Sequence, residues 1–203
     1  MYSTHPGLVL GFHGCDESIV QKVLTGEEPL KRSVNNYDWL GHGIYFWENS
    51  ASRAIEFATH LQKYSNHSKE KITKPAVIGA VINLGYCLDL LDFDNLQLLK
   101  RSFQMMRKLS KSSDFPQNKS IGGIGDLLLR ELDCAVIETL HTMKEDSHQL
   151  PFDFVRGVFF EGEELYPNAG FRDKDHIQIC VRNPNCIKGF FMPRKLDGDY
   201  PKV

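Results

Sequence analysis

The feature that most limits what this chain can fold into is the shortness of its apolar runs and the cap-bearing polar segments between them. The longest, Leu8–Phe12 and Ala76–Ile82, fall far short of the roughly 20 apolar residues that a membrane-spanning helix requires, so no membrane partner is expected. Each run has the length of a strand, and the early ones are followed by helix signals. After Leu8-Val9-Leu10 and Gly11-Phe12-His13, Asp16 offers an N-cap, Ile19, Val20, Val23 and Leu24 form one helical face, and Gly26 ends it. Residues 27–42 read as a loop rich in turn formers, among them Pro29, Asn35, Asn36 and Asp38. Gly43–Trp47 is a short strand, and Asn49 or Ser50 caps a helix striped by Ala51, Ala54, Ile55, Ala58 and Leu61.

Lys63 to Lys74 reads as a surface connection, and Ala76–Ile82 as a buried strand. Residues 94–110 read as a helix with Leu96, Leu99, Phe103, Met106 and Leu109 on one face. Its other face carries a basic cluster of Lys100, Arg101, Arg107 and Lys108, continued by Lys111 and Lys119. Ser110 to Ser120 is a polar linker. A helical pattern then runs through Leu127, Leu128, Leu132, Val136, Leu140 and Met143, although Cys134–Ile137 fits a strand equally well. Strands gather at the end: Phe154–Phe160, Ile177–Val181 and Ile187–Phe191, the first two joined by the loop Glu161–Asp175. The fold class is α+β, in a single domain spanning 1–203.

Composition agrees with one ordinary globular core: 203 residues, 41% hydrophobic and 25% charged. Twenty-four Lys+Arg against 26 Asp+Glu leave a net charge of −2, which excludes a polycation that binds nucleic acid with its whole surface. Five cysteines without CxxC spacing, and an N-terminus lacking a basic then apolar leader, fit a reduced, cytoplasmic setting. There is no GxxxxGK[ST], HExxH or GxSxG motif. Ile121–Gly125 is glycine-rich without GxGxxG spacing and reads as a helix-entry loop. The pairs His60/His67 and His141/His148 lie seven residues apart, where helical metal ligands need three or four, so no metal is expected.

Three short segments remain: Phe12-His13-Gly14, Leu40-Gly41-His42-Gly43-Ile44-Tyr45-Phe46, and His176-Ile177-Gln178-Ile179-Cys180-Val181. In this order they resemble the His-Tyr-Glu triad strands of the ADP-ribosyltransferase fold, on the branch of the poly(ADP-ribose) polymerases and diphtheria-type toxins. The resemblance covers most of the chain and extends through Arg182-Asn183 to Ile187. It implies a split β-sheet core with flanking helices and NAD as co-substrate, bound extended in a cleft between two small sheets. By the same resemblance His13 bonds a ribose hydroxyl, and Gly14 holds the nicotinamide amide through its main chain, its missing Cβ admitting the ligand. Tyr45 stacks on the nicotinamide, with Phe57 as the second aromatic after a one-residue shift. Arg32, Ser33 and Asn35 would meet phosphate or ribose, Arg53 the pyrophosphate, and Trp39 reads as a structural anchor.

The third triad position departs from the pattern. Gln178 accepts a hydrogen bond but carries no charge and is no general base, which disfavours chain elongation. Any base must come from elsewhere. In the loop before that strand Glu163 is the candidate base, and Phe171 and Arg172 are candidate acceptor contacts. The implied function is a mono-ADP-ribosyltransferase releasing nicotinamide. A compact domain of this kind fits an intracellular toxin or effector of a toxin–antitoxin or phage-defence system, neutralised by an antitoxin protein. Its acceptor would be protein or nucleic acid (RNA or DNA), the basic helix face favouring the latter. The alternatives are a catalytically silent NAD or ADP-ribose binding module, motivated by Gln178, and an NAD glycohydrolase. RNA 2′-phosphotransferases share the fold but need clustered arginines that the sequence does not display.

Overall fold

The computed structural model describes residues 7–64, 71–110, 115–120 and 127–201. Lys111, His67, the Ile121–Gly125 loop and the first six residues lie outside them. The elements run β1 (Leu8–Asp16), α1 (Glu17–Thr25), β2 (Ile44–Glu48), α2 (Ala51–Lys63), β3 (Pro75–Asn83), β4 (Cys87–Asp89) and α3 (Phe93–Leu109). They continue with β5 (Asn118–Lys119), β6 (Leu129–Arg130), α4 (Glu131–Asp146), β7 (Phe154–Phe159), β8 (His176–Val181) and β9 (Ile187–Phe191). The fold is α+β: a seven-stranded sheet ordered β4-β7-β8-β2-β1-β3-β9, with β5 and β6 as a separate pair. Every neighbour in the large sheet is antiparallel except β4 and β7.

The resemblance led to an expectation of two small sheets, whereas these strands share one hydrogen-bonded sheet. Its weak point is the seam between β1 and β2. β1 and β3 pair through nine registers from Leu8↔Asn83 to Asp16↔Pro75. β1 and β2 pair only at Gly11↔Glu48 and Phe12↔Trp47. His13 lies within β1 rather than at its end, because β3 supplies ladder partners as far as Asp16. Cys134–Ile137 is helical, and α4 starts only at Glu131, leaving Leu127 and Leu128 outside it.

Both faces of the sheet are covered, which explains strands that read as nearly continuous apolar runs. On one face Phe46, Ile78, Ala80 and Ile179 meet Val20 and Val23 of α1. On the other, Phe12, Trp47 and Val77 pack with Ala54 and Phe57 of α2. Further along that second face, Val155 and Cys180 meet Ile137 and Leu140 of α4, with Leu98 and Leu99 of α3 behind them. Asp16 caps α1 as expected, accepting from Ser18 N at 3.0 Å, and its carboxylate also accepts from Thr73 N at 2.7 Å and Lys74 N at 2.9 Å. The Ser18 hydroxyl, donating at 2.6 Å, and then these bonds hold Asp16 well below the usual carboxylate range. All five cysteines are buried free thiols. No helix among the described residues is long and apolar enough to cross a membrane.

Candidate functional site

The seam places the first two segments of the sequence pattern. Asn49 N donates to the Leu10 carbonyl at 2.9 Å, so the main-chain groups of Leu10, Phe12 and Gly14 face the β2 side of β1 by strand alternation. Phe12↔Trp47 is the last register of that ladder, so the N–H and C=O of Gly14 point into the seam beyond it. Across the same opening, His13 Nδ1 lies 2.8 Å from the Tyr45 carbonyl oxygen, a side chain standing where a ladder hydrogen bond would continue. The glycine at position 14 has a packing cause: a Cβ there would lie 2.0 Å from the Ala54 carbonyl oxygen. The bare Cα therefore seats α2, a packing demand on the glycine that stands beside the expected approach of a ligand.

Register decides which side chains share a face. Tyr45 lies opposite Cys180, and Trp47 opposite Gln178, so Tyr45, Trp47, His176 and Gln178 all project from one face. That face carries α2 over β1 and β3 and α4 over the β7 side, and these four residues lie between the two helices. His13 projects from the opposite face, its ring edge-on to Phe46 at 5.9 Å. Tyr45 and Gln178 are thus brought onto neighbouring strands, while His13 joins them only across the seam. The Tyr45 hydroxyl donates to Gly41 O at 2.8 Å and accepts from Leu40 N at 3.0 Å, which ties the preceding loop to the sheet. Burial pushes that phenol well above its ordinary range, so it stays protonated.

An aromatic row lines this face. Phe57 lies 4.9 Å from Trp47, Trp47 6.0 Å from His176, His176 5.5 Å from Phe159, and Phe159 4.8 Å from Trp39. Cations lie over two of its members, Arg53 5.8 Å over Trp47 and Arg130 5.3 Å over Trp39. Trp39 Nε1 donates to Gln178 Oε1 at 2.7 Å. Trp47 Nε1, Arg53 Nε and His176 Nε2 are buried without a hydrogen-bonding partner among the described residues. Burial lowers the pKa of His176, whose Nδ1 faces the Lys174 carbonyl at 2.6 Å, so its Nε2 is an acceptor at neutral pH.

Other predicted contacts are otherwise engaged. Arg53 pairs with Glu56 and, at 2.7 Å, with Glu161, tying α2 to the loop before β8 rather than presenting a free cation. Glu161, not Glu163, is thus the carboxylate of that loop that reaches the sheet's helical cover. Glu163 is exposed, and its N–H donates to Asp173 Oδ1 at 2.9 Å. Phe171 is exposed, its carbonyl accepting from Leu165 N at 3.1 Å, and Arg172 N donates to Asp175 Oδ2 at 2.9 Å. Asn35 Nδ2 donates to Ser33 Oγ at 2.9 Å, and Ser33 and Gly43 exchange main-chain bonds of 2.8 and 3.1 Å. Arg32 Nη2 reaches the His42 carbonyl at 3.3 Å, and Arg182 Nη1 reaches the same oxygen at 3.2 Å. Two guanidiniums from opposite ends of the chain thus meet at His42, a pairing that their separation hides from the sequence.

Sequence reading missed Trp47, Phe159, His176 and Arg130 as site neighbours. The alternation in His176-Ile177-Gln178 and Tyr45-Phe46-Trp47 was the available signal, since it puts alternate residues on one face. Among the described residues no group of three or more His, Cys, Asp or Glu side chains forms a metal site. No protein-family profile matches the chain. No solved structure matches it. Over 195 residues it is 28% identical to the uncharacterized protein MJ0359 of Methanocaldococcus jannaschii, covering 87% of this chain and 83% of that protein.

Proposed function

We propose that the chain is an NAD-dependent mono-ADP-ribosyltransferase with an ADP-ribosyltransferase-like fold, its nicotinamide site at the β1–β2 seam. The observation that carries this reading is the early end of the β1–β2 ladder, which turns the Gly14 main chain toward the opening beside Tyr45. A primary amide such as that of nicotinamide offers one acceptor and two donors, the complement of a main-chain N–H and C=O. The ring would then lie against Tyr45, and the ribose would reach toward Gln178 on the next strand. Nicotinamide departs from C1′ through a transition state with oxocarbenium character, so the site must hold the ribose and favour positive charge. Glu161, which the Arg53 pair ties to α2, is the candidate for that charge within the loop before β8.

The acceptor in this reading is a nucleic acid. Lys100, Arg101, Arg107 and Lys108 are exposed on α3, whose acidic residue is Asp94 in the first turn. No ion pair joins the four to a described carboxylate, so they remain available to phosphates. A second reading, a silent ADP-ribose binding module, is favoured by the neutral Gln178 with its oxygen already accepting from Trp39.

One experiment separates these readings and the glycohydrolase. NAD labelled in its adenylate half is incubated with the protein and cell lysate, free nicotinamide is measured, and products are treated with nuclease or protease. Label lost to nuclease and kept through protease supports the proposal. Label lost to protease alone reassigns the acceptor, nicotinamide without macromolecular label indicates hydrolysis, and binding without nicotinamide indicates the silent module. His13→Ala and Tyr45→Ala are each expected to abolish nicotinamide release in folded protein, and retained release refutes their assignment.

A further inference from the structure

We propose that Trp39 is a positioning residue that turns Gln178 into a fixed hydrogen-bond donor on the sheet face between α2 and α4, so that the ligand atom meeting it is an acceptor oxygen. The ligand half of this inference rests on the nucleotide reading above; the positioning half does not. An indole Nε1–H only donates, so the end of the Gln178 amide lying 2.7 Å from it must be the oxygen. The partners are 139 residues apart, and the bond settles an orientation that an isolated amide leaves ambiguous. The other end of the amide, the NH₂ group, makes no hydrogen bond within the described residues.

The indole is itself held in place. It lies edge-on to Phe159 at 4.8 Å, beneath the Arg130 guanidinium at 5.3 Å, and against Gly157. A Cβ on Gly157 would come within 3.1 Å of Trp39 Cη2, so the bare strand is what lets the ring lie down beside Gln178. Gly157 is also the register partner of Gln178, which puts the indole and the amide on the same patch of sheet. A carboxylate at 178 would offer acceptors at both ends, one to Trp39 and one to a ribose hydroxyl proton. The amide offers an acceptor to Trp39 and a donor to a ligand on that face. A ribose oxygen docked there accepts, keeps its own proton, and is not activated as a nucleophile, in line with transfer of a single unit.

The test is a double-mutant cycle on the binding of ADP-ribose, combining Trp39→Phe with Gln178→Met. Removing one neutral hydrogen bond lowers affinity about 2- to 12-fold, so Trp39→Phe should cost that much beside Gln178. It should cost less than about 2-fold in the Gln178→Met background, where there is no amide to orient. Equal losses in both backgrounds mean that Trp39 serves only packing, and overturn the proposal. Gln178→Glu should weaken binding at neutral pH and regain it as the pH falls and the carboxyl becomes a donor; tighter binding at neutral pH overturns the donor assignment. The indole N–H of Trp39, followed by proton–nitrogen NMR, should exchange with solvent faster in Gln178→Met. Unchanged exchange refutes the hydrogen bond whether or not a nucleotide binds. If wild type binds neither ADP-ribose nor NAD while the indole is protected, the nucleotide reading and the ligand half fall, and the positioning half is supported.

Discussion

Gly14→Ala tests whether packing or ligand approach demands a glycine at the seam. The new methyl carbon would lie 2.0 Å from Ala54 O, 2.9 Å from the Ala54 carbonyl carbon and 3.3 Å from Ala58 Cβ. The first two atoms are helix backbone and cannot rotate aside, and Ala54 and Ala58 are both fully buried. α2 must therefore move off β1 as a body, carrying Arg53 and Phe57 away from Trp47. Overpacking of this kind costs about 1–3 kcal/mol, and a collision with backbone puts it near the upper end. In a domain of this size each kcal/mol shifts the melting temperature by about 2–4 °C, so a fall of about 6–12 °C is expected. Gly189→Ala is the control, because its Cβ would meet nothing within 4 Å, and it should be neutral or stabilising by up to about 1 kcal/mol. Thermal unfolding followed by calorimetry and circular dichroism reads both variants. A Gly14→Ala protein that melts with wild type refutes the seating of α2 on β1; if it also loses NAD binding, close ligand approach is the reason for the glycine.

Three further outcomes are expected. Arg156 is buried between Glu48, at 2.6 and 3.0 Å, and Asp89, at 3.0 and 3.3 Å, so Arg156→Ala strands two carboxylates and should cost about 3–5 kcal/mol in urea denaturation. His141 is fully buried, and burial lowers its pKa from 6.5 to about 4, so the unfolded chain takes up its proton first and stability should fall as the pH drops through that window. Urea midpoints for His141→Leu should lose much of that slope, and an unchanged slope assigns it to other groups. Binding of a labelled 20-nucleotide single-stranded RNA should weaken with salt with a log–log slope near −2.8 if all four α3 cations meet phosphates. Lys100→Ala with Arg107→Ala should reduce that slope by about 1.4, and an unaltered slope removes α3 from the interface.

What local chemistry encodes was legible in advance. Asp16 and Gly26 bracket α1 because a carboxylate cap and a left-handed terminus (Gly26 φ 76°) are decided within a few residues. The alternation of Gln178 with apolar Ile177 and Ile179 marked β8 and put Gln178 on the face opposite those two residues. Features that depend on distant partners were not legible. β1 runs on to Asp16 because β3 arrives to pair with it, and Cys134–Ile137 is helical because α3 covers that segment, Ser102 Oγ donating to Val136 O at 3.0 Å. The three-residue β4 is too short for any periodicity, and it exists through its parallel pairing with β7. The Trp39–Gln178 bond and the Arg53–Glu161 pair join residues more than a hundred positions apart. For the same reason the packing demand on Gly14 was hidden, since the atom that a Cβ would strike belongs to α2.

The seam as a nicotinamide site is tested most directly by following main-chain amide signals of isotope-labelled protein while nicotinamide is added. The account predicts saturable shifts at Gly14 and Tyr45, with Gly189 unmoved and the Gly14 response lost in Tyr45→Ala. Shifts confined to other regions, such as the apolar hollow lined by Pro29, Ile44, Ile187 and Phe190, or no shift at millimolar nicotinamide, would contradict it.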